Sequence, residues 1–182
     1  TSSFTTSATD ATITLNNANA FTGAVALNTT GSSGHATVVD ASGLNLAAST
    51  VGGNLIATAT TGNMEDSGVL TIAGTSSFTT SATDATITLN NANAFTGTVA
   101  LNTTGSSAHA TVVDASGLNL AASTVGGNLI ATATTGNMED SGVLTIAGTS
   151  SFTTSATDAT ISLNNANAFT GTVALNTTGS SA

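Results

Sequence analysis

Few side chains in this sequence could perform chemistry, because it contains nine acidic residues, two histidines and no Lys, Arg or Cys. Four of the acidic residues recur at one position of a short motif: an apolar residue, a variable residue, Asn or Asp, and a small residue. If the chain stacks these motifs, their polar residues form a vertical ladder in which Asn amides hydrogen-bond along the column. The predicted ladder contains Asn17, Asp40, Asp66, Asn91, Asp114, Asp140 and Asn165.

The ladder raises the question of calcium, since it makes Asp40 a neighbour of Asp66 and Asp114 a neighbour of Asp140. Adjacent carboxylates repel each other, and a calcium ion held by carboxylate and carbonyl oxygens would relieve that repulsion. The four aspartates are therefore calcium candidates, and the alternative is solvated or partly protonated carboxylates without a cofactor. Paired carboxylates also serve glycoside hydrolysis, but the pattern supplies no basic or aromatic subsite, so we expect no enzymatic activity.

Two further residue types could carry a function. His35 and His109 are the only side chains expected to titrate near neutral pH, and each stands alone, which indicates a structural or solvated histidine. Asn28, Asn102 and Asn176 each precede Thr-Thr and match the acceptor pattern for N-glycans. In a chain so rich in Asn and Thr, such matches also arise by chance. Glycosylation of these three residues and a chance match therefore both stay open.

The charge balance excludes several classes of partner. With a net charge of −9 and no basic residue, the chain cannot neutralise phosphates, which argues against nucleic acid. The absence of Cys rules out a disulfide framework. No apolar run is long enough for a membrane-spanning helix, so we expect no membrane insertion in this segment. The chain begins at Thr1 without a basic leader, which suggests an internal piece of a longer protein.

Positioning of all these residues depends on a long internal repeat. Residues 1–74 recur as residues 75–148, and residues 149–182 form a partial third copy. The first two copies differ only at Ala24, which becomes Thr98, and at Gly34, which becomes Ala108. A period of this length predicts a tandem array in which each unit contacts its neighbours, and we expect one continuous solenoid.

Within one repeat, short alternating runs of apolar and polar residues predict strands, and Pro, which cannot donate to a ladder, is absent. The motif spacings of 23, 26 and 25 residues suggest about 25 residues per coil and three coils per 74-residue repeat. We therefore predict an all-β, three-sided parallel β-solenoid. Residues 55–59 and 78–80 are assigned to its third face. The predicted inward residues are Leu15, Val25, Leu27, Val38, Leu44, Leu46, Met64, Leu70 and Ile72.

Two stretches carry a resemblance to a known family: residues 54–74, NLIATATTGNMEDSGVLTIAG, and residues 13–25, ITLNNANAFTGAV. They resemble the repeats of filamentous-haemagglutinin-like exoproteins and related β-strand-repeat adhesins, which are giant bacterial surface proteins. The resemblance implies a right-handed β-helix, export to the cell surface and a role as a stalk or fibre.

The function expected from these observations is structural: a segment of an extracellular bacterial surface fibre or filament. Its partners would be other copies of itself, end to end or laterally. The alternative is the stalk of an adhesin that binds a receptor or glycan on a host or neighbouring cell. More remote alternatives are an ice-binding protein, which needs Thr-x-Thr held on one face coil after coil, or a calcium-stabilised solenoid.

Overall fold

A computed structural model describes residues 1–180 of the chain; residues 181–182, at the end of the partial third repeat, lie outside the described residues. In the first half the strands are β1 (Ser2–Thr5), β2 (Ile13–Asn19), β3 (Val25–Asn28), β4 (Ala36–Asp40), β5 (Leu44–Leu46), β6 (Ser49–Val51), β7 (Leu55–Ala59), β8 (Met64–Asp66), β9 (Leu70–Ile72), β10 (Ser76–Thr83) and β11 (Ile87–Phe95). In the second half they are β12 (Val99–Thr104), β13 (Ala110–Asp114), β14 (Leu118–Leu120), β15 (Ser123–Val125), β16 (Leu129–Ala133), β17 (Met138–Asp140), β18 (Leu144–Ile146), β19 (Ser150–Thr157), β20 (Ile161–Ser162), β21 (Ala168–Phe169) and β22 (Val173–Thr178). Across residues 1–180 we find no helix that could span a lipid bilayer.

All the strand pairs are parallel, and they form two sheets of 11 strands each. One sheet contains β2, β4, β7, β10 and β12, and the other contains β3, β11, β13, β16 and β19. The chain alternates between the sheets and winds through about eight turns. This arrangement confirms the predicted parallel β-solenoid. Successive coils of a parallel sheet lie about 4.8 Å apart, so the rod is about 40 Å long.

The predicted coil length is wrong. Hydrogen bonds between stacked positions of adjacent coils give the observed length: the sequence separation is 19 between Asn54 and His35, 21 between Thr75 and Asn54, and 23 between Thr86 and Asn63. Coils of this length fit three and a half times into one repeat, instead of three times. The prediction failed because the period-two pattern of a strand says which residues point inward but does not count the residues in each turn.

The half coil has a geometric consequence: each repeat is turned to the opposite side of the rod. Strands β4, β7 and β10 lie in one sheet, whereas their repeat equivalents β13, β16 and β19 lie in the other. Consecutive repeats are therefore related by a half-turn about the solenoid axis and a rise of three and a half coils, about 17 Å. A given position of the repeat therefore returns to the same side of the rod only after two repeats.

Each complete coil contains one long strand facing two short ones. In the coil that begins at β7, for example, the short strands β8 and β9 lie opposite it and belong to the same sheet. The hydrogen bonds thus define two sheets, and each sheet is interrupted over part of its length: one at β5, β6, β8 and β9, the other at β14, β15, β17 and β18. The segments assigned to a third face, residues 55–59 and 78–80, instead join β2 and β4 in a single sheet.

The core lies between the sheets and confirms the predicted inward positions. Of these, Val25, Leu27, Val38, Leu44, Leu46, Met64, Leu70 and Ile72 are fully buried, and Leu15 is half-buried. Each copy has one edge-to-face aromatic pair, and in the second copy it connects the two sheets: the rings of Phe78 and Phe95 have centroids 5.8 Å apart. Edge-to-face contact is the favoured geometry for such a pair.

Candidate functional site

The most elaborate polar arrangement in the molecule is a buried corner that joins neighbouring coils. At its centre is Asn93, which is completely buried. Its Nδ2 donates to Oδ2 of Asp66 in the coil below at 2.8 Å, and its Oδ1 accepts the backbone N–H of Leu70 at 2.8 Å. Asn93 also pairs in register with Asp114 in the coil above. The Asn93 amide thus lies between two carboxylates. It also forms hydrogen bonds with buried polar groups, which would destabilise the fold if they had no partner.

The next repeat has the same corner around Asp140. Its carboxylate accepts hydrogen bonds from Nδ2 of Asn167 at 2.7 Å and from the backbone N–H of Asn164 at 2.9 Å. Burial acts to raise the pKa of Asp140, but hydrogen bonds from Asn167, Asn164 and Asn165 outweigh it and hold this pKa below its usual value of 3.8. Donors that favour the charged carboxylate have this effect.

Asp114 is held differently, at the start of a turn. Its Oδ1 accepts the backbone N–H and the hydroxyl of Ser116, both at 2.9 Å, and its Oδ2 accepts the backbone N–H of Phe95 at 3.3 Å. Burial raises the pKa of Asp114 above its usual value of 3.8, and these hydrogen bonds offset only part of the rise. Asp40 has the equivalent partners, Ser42 and the backbone N–H of Phe21.

Two contacts of the predicted ladder are present, but the ladder residues do not form one continuous column. Asn91 does contact Asp66, and Asn165 contacts Asp140, through side-chain bonds of 3.0 Å to the backbone oxygen of each aspartate. Asp40, however, lies in the opposite sheet from Asp66, and Asp114 in the opposite sheet from Asp140. The reason is again the half coil, since three half-coils separate Val38 from Met64.

Asn19 and Asn93, instead of Asn17 and Asn91, are the in-register partners of Asp40 and Asp114. A register shift between Leu89 and Asn93 moves the pairing along by two residues. The sequence contains Asn at both residue 17 and residue 19, so Asn19 could have been considered as a partner. The motif selects Asn17 because it compares sequence positions and does not include the register shift.

These corrections remove the basis of the calcium hypothesis. Asp40 and Asp66 are not neighbours, nor are Asp114 and Asp140, so no repulsion between them needs a cation. Each carboxylate is instead bound by N–H or O–H donors of the protein. Among residues 1–180, no three acidic or histidine side chains form a group that could hold a metal ion.

The two histidines occupy equivalent turns. Nδ1 of His35 accepts the backbone N–H of Asn54 at 2.9 Å, and Nδ1 of His109 accepts that of Asn128 at 2.9 Å. Both rings are exposed. Each ring thus connects one coil to the next through a single hydrogen bond.

The predicted glycan acceptors lie on outward-facing positions of β3, β12 and β22. Asn28 accepts the backbone N–H of Thr50 at 3.3 Å, and Asn176 donates to Oγ1 of Thr153 at 3.4 Å. Asn102 is half-buried on the sheet surface. Their modification stays a prediction.

A groove lies near the turns of each full repeat. The first, of about 360 Å³, is lined by residues that include Phe21, Asn45 and Glu65, and the second, of about 320 Å³, by residues that include Phe95, Asn119 and Glu139. Glu65 accepts a hydrogen bond from Asn45 at 3.0 Å. It is the only ionisable side chain among the described residues that line the first groove, so the groove does not offer the two carboxylates that glycoside hydrolysis uses.

The long strands present a surface without charge, which we call the uncharged face. It consists of the outward-facing residues of β4, β7, β10 and β12, stacked in two columns: Thr37, Ile56, Ser77 and Ala100, and Val39, Thr58, Thr79 and Asn102. None of these residues is ionisable, and Ile56 is 49 % exposed. No strand in it carries Thr at both outward positions, so the Thr-x-Thr array expected of an ice-binding surface is not formed here.

The second repeat has the same face on the opposite sheet. Its columns are Thr111, Ile130, Ser151 and Ala174, and Val113, Thr132, Thr153 and Asn176. The rod therefore presents an uncharged face on each side, offset by three and a half coils.

Comparison with known proteins gives a match to one family. Residues 33–102 and residues 107–176 each match the family described as repeats of unknown function, DUF5649. The two matched segments start one repeat length apart, in agreement with the period of the sequence. No curated protein and no solved structure matches the chain. Because the matched segments cover well over half of its residues, the chain belongs to the DUF5649 family of repeats.

Proposed function

We propose that this chain is a structural segment of an extracellular fibre, whose length is set by the number of repeats. The observation that carries the proposal is the continuity of pairing across the repeat boundaries. Strand β7, before the first boundary, pairs with β10 after it over five residues, and β16 pairs with β19 in the same register across the second. A further copy can therefore extend the rod without a new kind of contact.

The direction of the hydrogen bonds supports a mechanical role. In a parallel solenoid the inter-strand bonds run along the rod axis, so a pulling force is shared among the ladder bonds of each coil. Each bond contributes a net of about 1 kcal/mol. The buried corner at Asn93, the turn at His35 and the Phe78–Phe95 pair add contacts between coils or between sheets.

Two features of composition favour a location outside the cell. The absence of Lys and Arg removes every site for trypsin-like proteases, and the absence of Cys makes the fold independent of the redox environment. Surface labelling of intact producing cells with an antibody against the repeat tests this location. Labelling that appears only after permeabilisation would contradict it.

The structural role is tested by the dimensions of arrays with two, four and eight copies of the full repeat. We expect rods whose length grows by about 17 Å per copy, since each copy contributes three and a half coils. Small-angle X-ray scattering gives the length, and electron microscopy shows the shape. Compact particles, or a length that does not follow copy number, would refute the proposal.

A further inference from the structure

The half-turn between repeats places identical surfaces on opposite sides of one rod. Thr58, in the first uncharged face, and Thr132, its equivalent in the second, lie in different sheets, one repeat length apart in the sequence. A partner that binds one face can therefore bind the other face in the same way. A ligand specific for this surface would find two sites that point in opposite directions.

Charge determines which partner these faces accept. The chain has a net charge of −9 and no basic side chain, so contacts between copies through its acidic surfaces are repulsive. Glu65 and Glu139 point outward from the interrupted parts of the sheets, which makes those parts unsuitable for self-contact. The uncharged faces avoid this repulsion, and each has an exposed isoleucine, Ile56 or Ile130, in its second strand.

We infer that the uncharged face binds the uncharged face of a second copy, so that rods associate side by side. This inference rests on the proposed structural function and specifies which surface is used. Since each rod has such faces on both sides, one rod can contact two neighbours, and the assembly extends as a layer of rods instead of ending at a dimer.

The size of the face makes this association depend on repeat number. Four strands of five residues cover roughly 300 Å², whereas a stable interface buries about 800 Å² per partner. A single face is therefore too small to hold two chains together for long. On one side of a long array, however, the face recurs every seven coils, about 34 Å, and several weak contacts act together. Short arrays should stay monomeric at concentrations at which long arrays form bundles.

Cysteine cross-linking tests the inference directly, because the chain contains no native Cys. Thr58→Cys places a thiol in the first uncharged face, and Thr71→Cys places one at an exposed position of β9, outside either face. At millimolar chain concentration under mild oxidation, we expect Thr58→Cys to form covalent dimers at least tenfold faster than Thr71→Cys. Equal rates would overturn the inference. Circular dichroism and melting curves confirm that both variants are folded.

Double variants test whether the faces lie on opposite sides. Thr58→Cys with Thr132→Cys should give oligomers longer than dimers, since each chain can be linked on two sides. Ile56→Cys with Thr58→Cys, on one side only, should stop at dimers. Adding Ile56→Asp to Thr58→Cys should slow cross-linking at least tenfold, because it puts a negative charge at the contact, whereas Val69→Asp, at an exposed position outside the face, should not.

The outcomes separate this inference from the proposed function. Arrays that form rods of the expected length but show no preferential cross-linking would refute side-by-side association and leave the structural role intact. Arrays that do not form rods would refute the structural role, whatever the cross-linking rates are.

Discussion

Nδ2 of Asn93 donates to Oδ2 of Asp66 at 2.8 Å across the boundary between the first and second repeats, inside a completely buried corner. The same side chain accepts the backbone N–H of Leu70. A neutral amide thus provides a donor to a carboxylate and an acceptor to the backbone at once. The contact joins the side chains of the two copies directly, and both side chains are buried.

Replacing Asn93 by Ala should lower the free energy of unfolding by roughly 2–3 kcal/mol, since it leaves the buried backbone N–H of Leu70 without its partner and removes one of the donors to the Asp66 carboxylate. Chemical denaturation monitored by circular dichroism measures the change. Asn17→Ala is the matched control: its side chain is exposed, so we expect a change within about 0.5 kcal/mol. Similar losses of unfolding free energy in both variants would contradict the prediction that the buried corner contributes more to stability than an exposed Asn does.

Two buried serines should respond to the same substitution with opposite signs. The hydroxyl of Ser76 is buried without a hydrogen-bond partner, whereas that of Ser49 donates to the backbone oxygen of Ala47 and accepts the N–H of Leu27. Ser76→Ala should therefore stabilise the fold by roughly 1 kcal/mol, and Ser49→Ala should destabilise it by about as much. Melting temperatures of the two variants measure these changes in stability, and a loss of stability in Ser76→Ala would contradict the prediction.

The natural difference between Gly34 and Ala108 provides a third experiment. Ala108 is buried at the same turn and keeps the bond from its backbone N–H to Gly105, at 3.1 Å compared with 3.0 Å from Gly34 to Gly31. A Cβ at Gly34 would lie 2.5 Å from the backbone oxygen of Thr30, so the turn has to shift towards the geometry that it has around Ala108. Gly34→Ala should raise the free energy of unfolding by roughly 0.4–1 kcal/mol, since it restricts the unfolded chain. Ala108→Gly, measured in parallel by denaturation, should lower it by a similar amount.

The pH dependence of stability should differ between two aspartates. The pKa of Asp140 is lowered in the fold, so this residue contributes stability above its unfolded pKa of 3.8, and the contribution is lost as the pH falls through the folded pKa. The pKa of Asp114 is raised, so its contribution is present below 3.8 and is lost as the pH rises through the folded pKa.

Denaturation between about pH 2.5 and 6 tests these signs. Asp140→Asn should remove part of the loss of stability seen below pH 3.8, and Asp114→Asn should remove part of the fall in stability that occurs as the pH rises above 3.8. Asp140→Asn should also cost roughly 1–3 kcal/mol at neutral pH, because the charge-assisted bonds from Asn164 and Asn167 are weakened. Parallel pH curves for both variants and the original chain would refute the assignment.

The composition and the alternation of apolar residues were sufficient to predict parallel strands around a narrow core. Residues such as Leu44, Leu46, Leu70 and Ile72 are buried because every second residue of a strand points to the same side, which is a local property. The same reasoning could not place Asp66 relative to Asp40, since their similar motifs lie three half-coils apart.

The sequence by itself determined the length of the repeat, the inward and outward positions and the absence of charge on much of the surface. Only the tertiary structure decided the number of residues per coil, and with it the half-turn between repeats. The physical reason is that turn lengths depend on how the two sheets pack around side chains such as Phe78 and Phe95, which are distant in the coil but meet in space. A change of a few residues per coil moves a carboxylate from one side of the rod to the other.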